Sequence, residues 1–589
     1  MKKGKIFILA AACGGLCICL LLIGWMRRKQ PVTWDKIAVS IETGAGEATI
    51  KLWHNYYDNK EYLFLPSFWE EDDGGRITGM YGKKVSWDGD LLPRSGELTT
   101  LFKGEHSLQV GDNSFQVVVL HSGTVPALFL TTQSGSLTYI EEKKGNGEPG
   151  WYRMVNADGS LLSEGKLEKL KSRGNATFLE DKKPYQMTLE DSADLLGSGN
   201  KKKYILLANR QDQSLLRDRI MYDMAADMGL PYSPISRFVD LYVNEEYRGS
   251  YQLSEKVETG AGGIAINTDT RDIKTGFLVT LEYSTEDRLA EAEYRFQTTN
   301  GQNVVVKRPK QPTAAQLAYI EQCFQSAEDG IRSGTFPQGQ LDMTSFARKY
   351  LIEEIGKNLD AMYTSQYFYQ DAGEGQLLYA GPVWDYDKTL GNPLIEHTRP
   401  VDFQAPQGIY AAAKQEDASW WYDLWQIPAF RERVIEEFAK TAVPAIDGML
   451  ETKIDAYRDE VWESAAMDYM RWDPFEDFKY GNELAFEQEY QAEIDGIKEF
   501  LTKRKAFLTD IWLEGRAYDR IPLDAGEGTI YVKNIDAVEG RTLAEPRDPK
   551  LEGYRFAGWI RGDTGEPYDF TQPYDGIPFT LRAVYSEEE

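Results

Sequence analysis

The chain has 589 residues, several times the usual length of a domain, so we expect two to four domains. Its 93 acidic and 66 basic residues give a formal net charge of −27, which argues against a nucleic-acid binder because such a field repels phosphate backbones. Hydrophobic residues at 42% exclude wholesale disorder, and the absence of any Cys-x-x-Cys excludes a zinc finger.

An apolar run without charges, residues 6–26, lies between two groups of basic residues. A helix rises about 1.5 Å per residue, so this run spans the roughly 30 Å hydrocarbon core of a bilayer. We therefore predict that residues 1–30 form a cytoplasmic tail and a single-pass membrane anchor, with the large remainder outside the cell. A lipoprotein modified at Cys13 is the second-ranked alternative, because Ala10-Ala-Ala-Cys13 resembles a lipoprotein cleavage box.

Residues 31–149 have the pattern of a β-rich domain. Segments such as 37–41, 48–53 and 114–120 alternate apolar and polar residues, and turns rich in Gly and Asp separate them. The pattern predicts a small β-sandwich-like domain, whose ligand the sequence does not identify.

The central region, 150–515, is predicted to be mixed α/β at first and then mostly helical. Apolar spacing predicts helices over 213–228 and 346–362. Segment 238–253 predicts a β-hairpin, because two polar residues separate its strand-like runs. Residues 419–515 are predicted to be helical throughout.

The C-terminal part, about 527–586, has short strand-like segments around glycines. Its motif Gly553-Tyr-Arg-Phe-Ala-Gly-Trp559 resembles the internalin-type B repeat, also called the Listeria–Bacteroides repeat. The resemblance implies a small β-grasp-like module of the kind found on bacterial surface proteins.

Several segments of the central region carry more polar groups than a core requires. In the first, Gly174 permits close backbone approach, and Lys182 and Lys183 supply point charges suited to a phosphate; a solvent-exposed hairpin with basic ends is the alternative. In the last, Asp385 and Asp387 can contact one hard cation if the loop bends, although such a pair more often caps a turn.

Five of these segments occur in one order along the chain. They are Lys171-Ser-Arg-Gly-Asn-Ala-Thr177 with Lys182-Lys-Pro-Tyr185, residues 211–218, residues 242–255, Asn358-Leu-Asp-Ala361 and residues 382–392. The series resembles the CotH family, the spore-coat protein H type of atypical protein kinase. The resemblance implies an α+β protein with a divergent protein-kinase-like central domain. It also implies use of ATP with Mg²⁺ or Mn²⁺ to phosphorylate Ser or Thr of a protein substrate.

The resemblance also implies roles for single residues. Lys183, or its neighbour Lys182, resembles the strand lysine that holds the nucleotide phosphates. Asp360 resembles the catalytic aspartate that orients the substrate hydroxyl. Asp385, with Asp387 as its alternate, resembles the metal-binding aspartate.

Other residues match the family less completely. Arg217 and Glu255 match charged positions, and we count Arg217 with the catalytic candidates and Glu255 with the nucleotide-binding ones. No Gly-x-Gly-x-x-Gly loop is present within residues 170–395, the span of the resemblance, so Arg173 and Asn175 must cover the phosphates.

One expected metal ligand is missing. Many kinase relatives place an Asn after the catalytic aspartate, but here the run is Ala361-Met-Tyr-Thr-Ser-Gln366, so Ser365 or Gln366 must serve. The rival prediction is therefore a catalytically weak or inactive surface protein that binds another surface protein. Under either prediction the partner is a protein, the membrane is contacted through the N-terminal helix, and no nucleic acid is bound.

Overall fold

The computed structural model describes residues 33–43, 46–70, 73–260, 262–282, 292–361, 363–394, 402–413, 419–472, 483–530 and 532–587. The predicted anchor, 6–26, lies outside these residues. Within the described ranges, no helix combines the length and apolar character needed to cross a bilayer. The described chain contains several sheets and many helices, so the predicted α+β class is confirmed.

The N-terminal region consists of two sheets that share one core. After a 3₁₀ turn at Trp34–Lys36, its strands are β1 (Ala38–Thr43), β2 (Gly46–Lys51), β3 (Trp53–Asn55), β4 (Lys60–Leu65), β5 (Gly75–Thr78), β6 (Val85–Trp87), β7 (Asp90–Leu91), β8 (Glu97–Leu98), β9 (Gly104–Val110) and β10 (Asn113–His121). Their order is β2-β1-β5-β8 in one sheet and β3-β4-β10-β9-β6-β7 in the other. Alternate side chains of both sheets, including Val39 and Val117, are buried in a common cluster, as in a sandwich.

A closed seven-stranded barrel follows. Its elements are β11 (Ala127–Thr132), α1 (Thr138–Glu142), β12 (Gly147–Val155), β13 (Leu161–Ser172), a 3₁₀ turn (Ala176–Phe178), β14 (Tyr185–Ala193), β15 (Lys201–Leu207), α2 (Arg217–Asp227), β16 (Ser236–Val243) and β17 (Glu246–Glu255). The strand order is β11-β12-β13-β14-β15-β17-β16, and β11 closes the barrel by pairing in parallel with β16. Because β11 and β12 belong to the barrel, it begins before residue 150, where we predicted the central domain to start.

Two predictions from local sequence are confirmed within the barrel region. The helix predicted over 213–228 is α2, and the predicted hairpin is β16–β17. The hairpin turn consists of Asn244 (φ 52°) and Glu245 (φ 72°). Two successive left-handed residues form the turn whose twist matches that of paired strands.

A second, antiparallel sheet lies beside the barrel. The elements of this part are β18 (Phe277–Leu281), β19 (Arg295–Gln297), β20 (Asn303–Arg308), α3 (Ala314–Arg332), α4 (Met343–Gly356), β21 (Tyr367–Gln370) and β22 (Tyr379–Ala380). The sheet order is β19-β20-β18-β21-β22. Helix α4 begins where the Asp342 side chain accepts a hydrogen bond from Ser345 N at 2.7 Å, a normal N-terminal cap.

The helical part packs on this sheet and on α2. Its helices are α5 (Trp420–Gln426), α6 (Pro428–Glu437), α7 (Val443–Gly448), α8 (Ile454–Trp472) and α9 (Glu483–Trp512), and π-helical turns at Phe438–Ala442 and Met449–Lys453 connect α6, α7 and α8. Their apolar faces and the sheet form the largest core of the described chain. The helical character predicted for 419–515 is confirmed for most of the described residues; Ile427 is extended between α5 and α6, and residues 513–515 follow the end of α9.

The C-terminal region is a four-stranded sheet with its own core. Its strands are β23 (Tyr518–Asp524), β24 (Asn534–Val538), β25 (Tyr554–Arg561) and β26 (Leu581–Glu587), in the order β24-β23-β26-β25. Trp559 of the glycine–aromatic motif is buried in this core. The Arg541 guanidinium donates two hydrogen bonds of 2.7 Å to Asp510 of α9, which connects the sheet to the helical part.

Candidate active site

A cleft of about 220 Å³ lies where the barrel meets the second sheet and α2. The barrel side consists of the 173–177 loop and the 207–211 segment that follows β15. The opposite side consists of residues from the 360–367 and 384–388 segments, and α2 contributes Asp218. The cleft therefore brings together five of the ten predicted site residues, namely Arg173, Asn175, Asp360, Asp385 and Asp387.

The loop between β13 and β14 folds over one end of the cleft. Its Gly174 has φ +94°, and a Cβ there would lie 2.3 Å from Thr177 Oγ1, so any larger residue would displace the loop. The Arg173 guanidinium lies 5.3 Å from the centre of the Trp384 ring on the opposite side. Asn175 Oδ1 accepts a hydrogen bond of 3.1 Å from Lys144 Nζ. The loop thus presents a cation and an amide to the cleft.

The end of α4 positions Asp360. The helix stops at Lys357, which is left-handed (φ 47°) and whose Nζ donates hydrogen bonds to the carbonyls of Asp402 and Ala405, both at 2.7 Å. Burial, reinforced by the charge of Arg504, lowers the pKa of Lys357 to about 7. Three residues further on, the nearly buried Asp360 lines the cleft.

The loop that carries the paired aspartates is held in an unusual conformation. Asp385 has φ +72°. The Ser365 Oγ donates a hydrogen bond to Asp385 Oδ2 at 2.9 Å, and Ser365 itself has φ +57°. The next backbone N–H, of Tyr386, donates to Asp218 Oδ1 at 2.7 Å. Left-handed residues other than glycine cost energy and concentrate at functional sites, so this loop has the backbone expected of a binding segment.

The cleft carboxylates are poorly compensated. Burial, followed by the nearby charge of Asp385, raises the pKa of Asp218 to about 7. Burial, followed by the charges of Asp385 and Asp218, also raises the pKa of Asp387 well above its usual range, and Lys388 offsets only part of this effect. A site with several close carboxylate oxygens favours either protons or a hard cation.

The donor set fits a cation that arrives with a phosphate ligand. No group of three or more His, Cys, Asp or Glu side chains within the described ranges is arranged to hold a metal ion. The cleft offers the two carboxylates of Asp385 and Asp387, and the Ser365 hydroxyl lies beside the first of them. Mg²⁺ is commonly held by one or two carboxylates together with water and substrate phosphates, so this sparse set is compatible with it.

The structure does not bring the two predicted lysines to the cleft. Lys182 is 1% exposed, and its Nζ lies 2.6 Å from Asp468 Oδ1 of α8 in a buried ion pair. Lys183 Nζ donates to the carbonyls of Phe178 (2.9 Å) and Glu180 (2.7 Å) and so stabilises the base of its own loop. Both side chains have structural partners, and neither lies at the cleft where the prediction places one of them.

Arg217 also lies behind the cleft. Its buried guanidinium pairs with Asp212, donates to Thr389 O at 3.0 Å and lies 3.5 Å from Glu493 of α9. It connects α2 to the segment after the paired aspartates, so it positions this segment and does not face the cleft directly.

Glu255 and Gln366 lie outside the cleft lining as well. Glu255 accepts a hydrogen bond of 2.5 Å from Ser198 Oγ and pairs with Lys201 at the end of β17. Gln366 is fully buried and does not line the cleft, whereas its neighbour Ser365 does. Of the two replacements predicted for the missing metal ligand, Ser365 therefore has the suitable place and Gln366 does not.

Sequence reasoning missed several lining residues. Asp218 directly follows Arg217 within one of the quoted motifs. The signal available in the sequence was an acidic residue in a segment that was predicted to be helical. Glu282 directly follows the apolar strand β18, and Lys307 follows the apolar residues of β20. In both cases the only signal in the sequence was a charge at the end of an apolar run. Lys307 and Arg173 are two of the cations that line the cleft.

Together these features define an α+β protein with an oxygen-rich cleft between a closed barrel and a sheet-and-helix unit, covered by a basic glycine loop. Residues 170–508, more than half of the chain and including the 173–388 span of the cleft, match the family model described as CotH kinase protein. The chain belongs to this family, which confirms the resemblance seen in its motifs. No curated protein matches the chain.

Proposed function

We propose that this chain is a phosphotransferase that moves the terminal phosphoryl group of ATP to a Ser or Thr hydroxyl of a protein, with Mg²⁺ or Mn²⁺. The observation that carries the proposal is the meeting of Asp360, Asp385 and Asp387 with the basic 173–177 loop in one cleft. In this proposal the central domain is a divergent protein-kinase-like domain. Phosphoryl transfer requires mainly positioning and charge stabilisation, and these groups supply both.

Each side chain then has a definite task. Arg173 and Lys307 offset the negative charge of the phosphates, and Asp385 and Asp387 hold the divalent cation, whose chemistry is to neutralise charge as the phosphoryl group moves. Asp360 orients the acceptor hydroxyl and accepts its proton. The hydroxyl oxygen forms a bond to the γ-phosphorus while the bond to the β–γ bridging oxygen breaks, and ADP leaves with that electron pair.

Calorimetric titration of the full-length protein with ATP tests the proposal. We expect heat of binding with Mg²⁺ or Mn²⁺ and none with ATP and a chelator. Asp385→Asn should abolish the metal-dependent binding, whereas Asp360→Asn should retain binding and lose phosphoryl transfer. Asp459→Asn, at a side chain 68% exposed on α8, is the matched control and should change neither.

The opposite result supports the rival function. If the wild-type protein shows no heat and no thermal shift with ATP under any metal condition, a surface-binding or scaffold role replaces the enzymatic one. The placement of Lys182 and Lys183 away from the cleft is the observation that favours this rival.

We also propose that the chain is anchored by residues 6–26 with its large part outside the cell, and that 527–586 is an internalin-type surface module. The charge-free length of the first segment and the glycine–aromatic motif of the second support this arrangement. External protease on intact cells should digest the large part of the chain; its complete protection contradicts the proposed orientation. Mass spectrometry that finds a lipid on Cys13 would favour the lipoprotein alternative.

A further inference from the structure

A second concave surface, of about 550 Å³, lies directly beside the cleft. We call it the basic groove, and five of its lining residues are cations: Lys144, Lys171, Arg173, Lys307 and Lys310. Its acidic lining residues are Glu282 and Glu293. In a chain with a net charge of −27, this concentration of positive charge on one surface is unexpected.

The groove cations repel one another. Lys171 is half-buried, and burial together with the charges of Lys169, Arg173, Lys203 and Lys144 lowers its pKa. All the charged neighbours that act on it strongly are therefore cations. Lys171 and Lys310 form no ion pair with a carboxylate of the described chain, so the positive charge of these two side chains has no direct counter-ion there.

The Glu258 carboxylate, which is not part of the groove lining, is already fully engaged. Glu258 pairs with Lys203 at 2.8 Å, Lys256 at 3.0 Å and Arg308 at 3.2 Å. Burial opposes its ionisation, but Lys256 and Lys203 together lower its pKa to about 2. This carboxylate is saturated by its own three cations, so it cannot compensate Lys171 and Lys310.

The groove and the cleft form one continuous surface. They share Arg173, Gly174, Asn175, Glu282 and Lys307 in their linings. A polypeptide whose hydroxyl enters the cleft at Asp360 can therefore continue along the groove. The groove is more than twice as large as the cleft, which suits several side chains better than a single phosphate group.

We propose that the basic groove binds an acidic segment of the protein phosphoacceptor, rich in Asp and Glu, next to the hydroxyl that enters the cleft. The identity of this segment as a phosphoacceptor rests on the proposed phosphoryl transfer, but its binding does not. Charge complementarity selects such a partner, and the strongly negative remainder of the chain repels longer polyanions such as nucleic acid.

Fluorescence anisotropy of a labelled peptide tests the proposal without ATP. The probe has a central serine flanked by glutamates, and the matched probe replaces each glutamate with glutamine. The full-length protein should bind the acidic probe at least tenfold more tightly, and the preference should weaken as salt is raised. Equal affinity for the two probes overturns the proposal.

Variants separate the groove from general surface charge. Lys310→Glu and Lys171→Gln should each lower acidic-probe affinity about fivefold, whereas Lys440→Glu, at an exposed lysine beyond the groove, should not. Lys171→Gln should leave the melting temperature unchanged or raise it, because it removes repulsion. A loss of stability with retained affinity would identify Lys171 as a structural residue and contradict the proposal.

Two further arms test other anions and the proposed activity. The first uses an oligonucleotide and vesicles of phosphatidylcholine with phosphatidylserine as probes. If either binds more tightly than the peptide and responds to the same variants, the assignment to a peptide is overturned. Asp360→Asn should bind the acidic probe like the wild type. Peptide binding without any transfer refutes the proposed function alone, and equal transfer to both peptides refutes the groove proposal alone.

Discussion

Two acid-rich regions lie six residues apart along the chain and differ completely in how their charges are compensated. Glu354 of α4 is fully buried, pairs with Arg504, and accepts hydrogen bonds from Tyr410 N at 2.6 Å and Ala411 N at 2.7 Å. The cleft carboxylates, of which Asp360 is one, instead lie close to one another, with raised pKa values at Asp218 and Asp387. The comparison teaches that a buried acid with a cation and several donors stabilises the fold, whereas crowded acids with raised pKa values are typical of binding or catalytic sites.

Breaking the compensated pair should have the largest effect. Arg504→Ala leaves the Glu354 carboxylate buried without its cation, so we expect a loss of about 3–5 kcal/mol in the free energy of unfolding. Chemical denaturation followed by tryptophan fluorescence measures it. The adjacent Lys505→Ala removes an ion pair to Asp447 that is partly exposed and should cost far less. Similar losses for both variants would contradict the comparison.

Asp240 represents an intermediate case, because it is buried with hydroxyl donors but no direct cation. Burial raises its pKa to about 6, although Ser122, Ser464 and Tyr247 act in the opposite direction and Asp468 adds to the rise. A raised folded-state pKa means that this contribution to stability is fully present below the ordinary value of 3.8 and is lost as pH rises through about 6.

Asp240→Asn should therefore flatten this pH dependence. The wild type should lose up to about 3 kcal/mol from this group between pH 4 and pH 7, roughly 1.4 kcal/mol per unit of pKa shift. Denaturation curves at several pH values of the wild type and of Asp240→Asn measure the difference. Parallel pH profiles for the two proteins would show that Asp240 ionises normally.

Neutralising a cleft acid should have a smaller effect on stability, of the opposite sign. Asp218→Asn removes a charge near Asp385 yet can still accept the hydrogen bond from Tyr386 N. We expect the melting curve to show a gain of about 1 kcal/mol. We also expect a roughly tenfold loss of Mg²⁺-dependent ATP affinity, because the cleft loses one of the negative charges that attract the cation. A clear loss of stability would place Asp218 with the compensated acids.

The exposed connection of the C-terminal sheet should show the smallest effect. The Arg541 side chain is 51% exposed although its partner Asp510 is buried, and Arg516 lies 3.5 Å from the same carboxylate. Arg541→Ala should therefore cost only about 0.5–1 kcal/mol. Deletion of 527–586 should likewise leave the melting of the remaining chain nearly unchanged. A large shift in either experiment would show that this sheet is part of the central core.

Local signals predicted the elements that surround the site. The left-handed pair Asn244-Glu245 and the apolar spacing of α2 are encoded within a few residues, so the hairpin and the helix could be recognised. Asp360 and Asp385, which the family resemblance singled out, both line the cleft, and each lies in a compact motif.

Long-range contacts determined what sequence reasoning could not predict. The partner of Lys182 is Asp468, hundreds of residues further along the chain, and no local pattern reveals such a pair. Ser365 and Gln366 are neighbours with similar chemistry, and only the packing of the core decides which one reaches the cleft. The closure of the barrel by β11 and β16 likewise depends on a pairing that spans more than one hundred residues.

The Lys182–Asp468 pair has a consequence for the order in which the chain folds during synthesis. Asp468 Oδ1 also accepts a hydrogen bond from the backbone N–H of Ser250 on β17 at 2.8 Å. Helix α8 therefore supplies a buried partner to two residues of the barrel region, Lys182 and Ser250. Until the ribosome has added α8, the barrel contains a buried ammonium without its counter-ion. Nascent chains that end before residue 468 should therefore remain protease-sensitive in the barrel, and acquisition of the folded state should coincide with the emergence of α8.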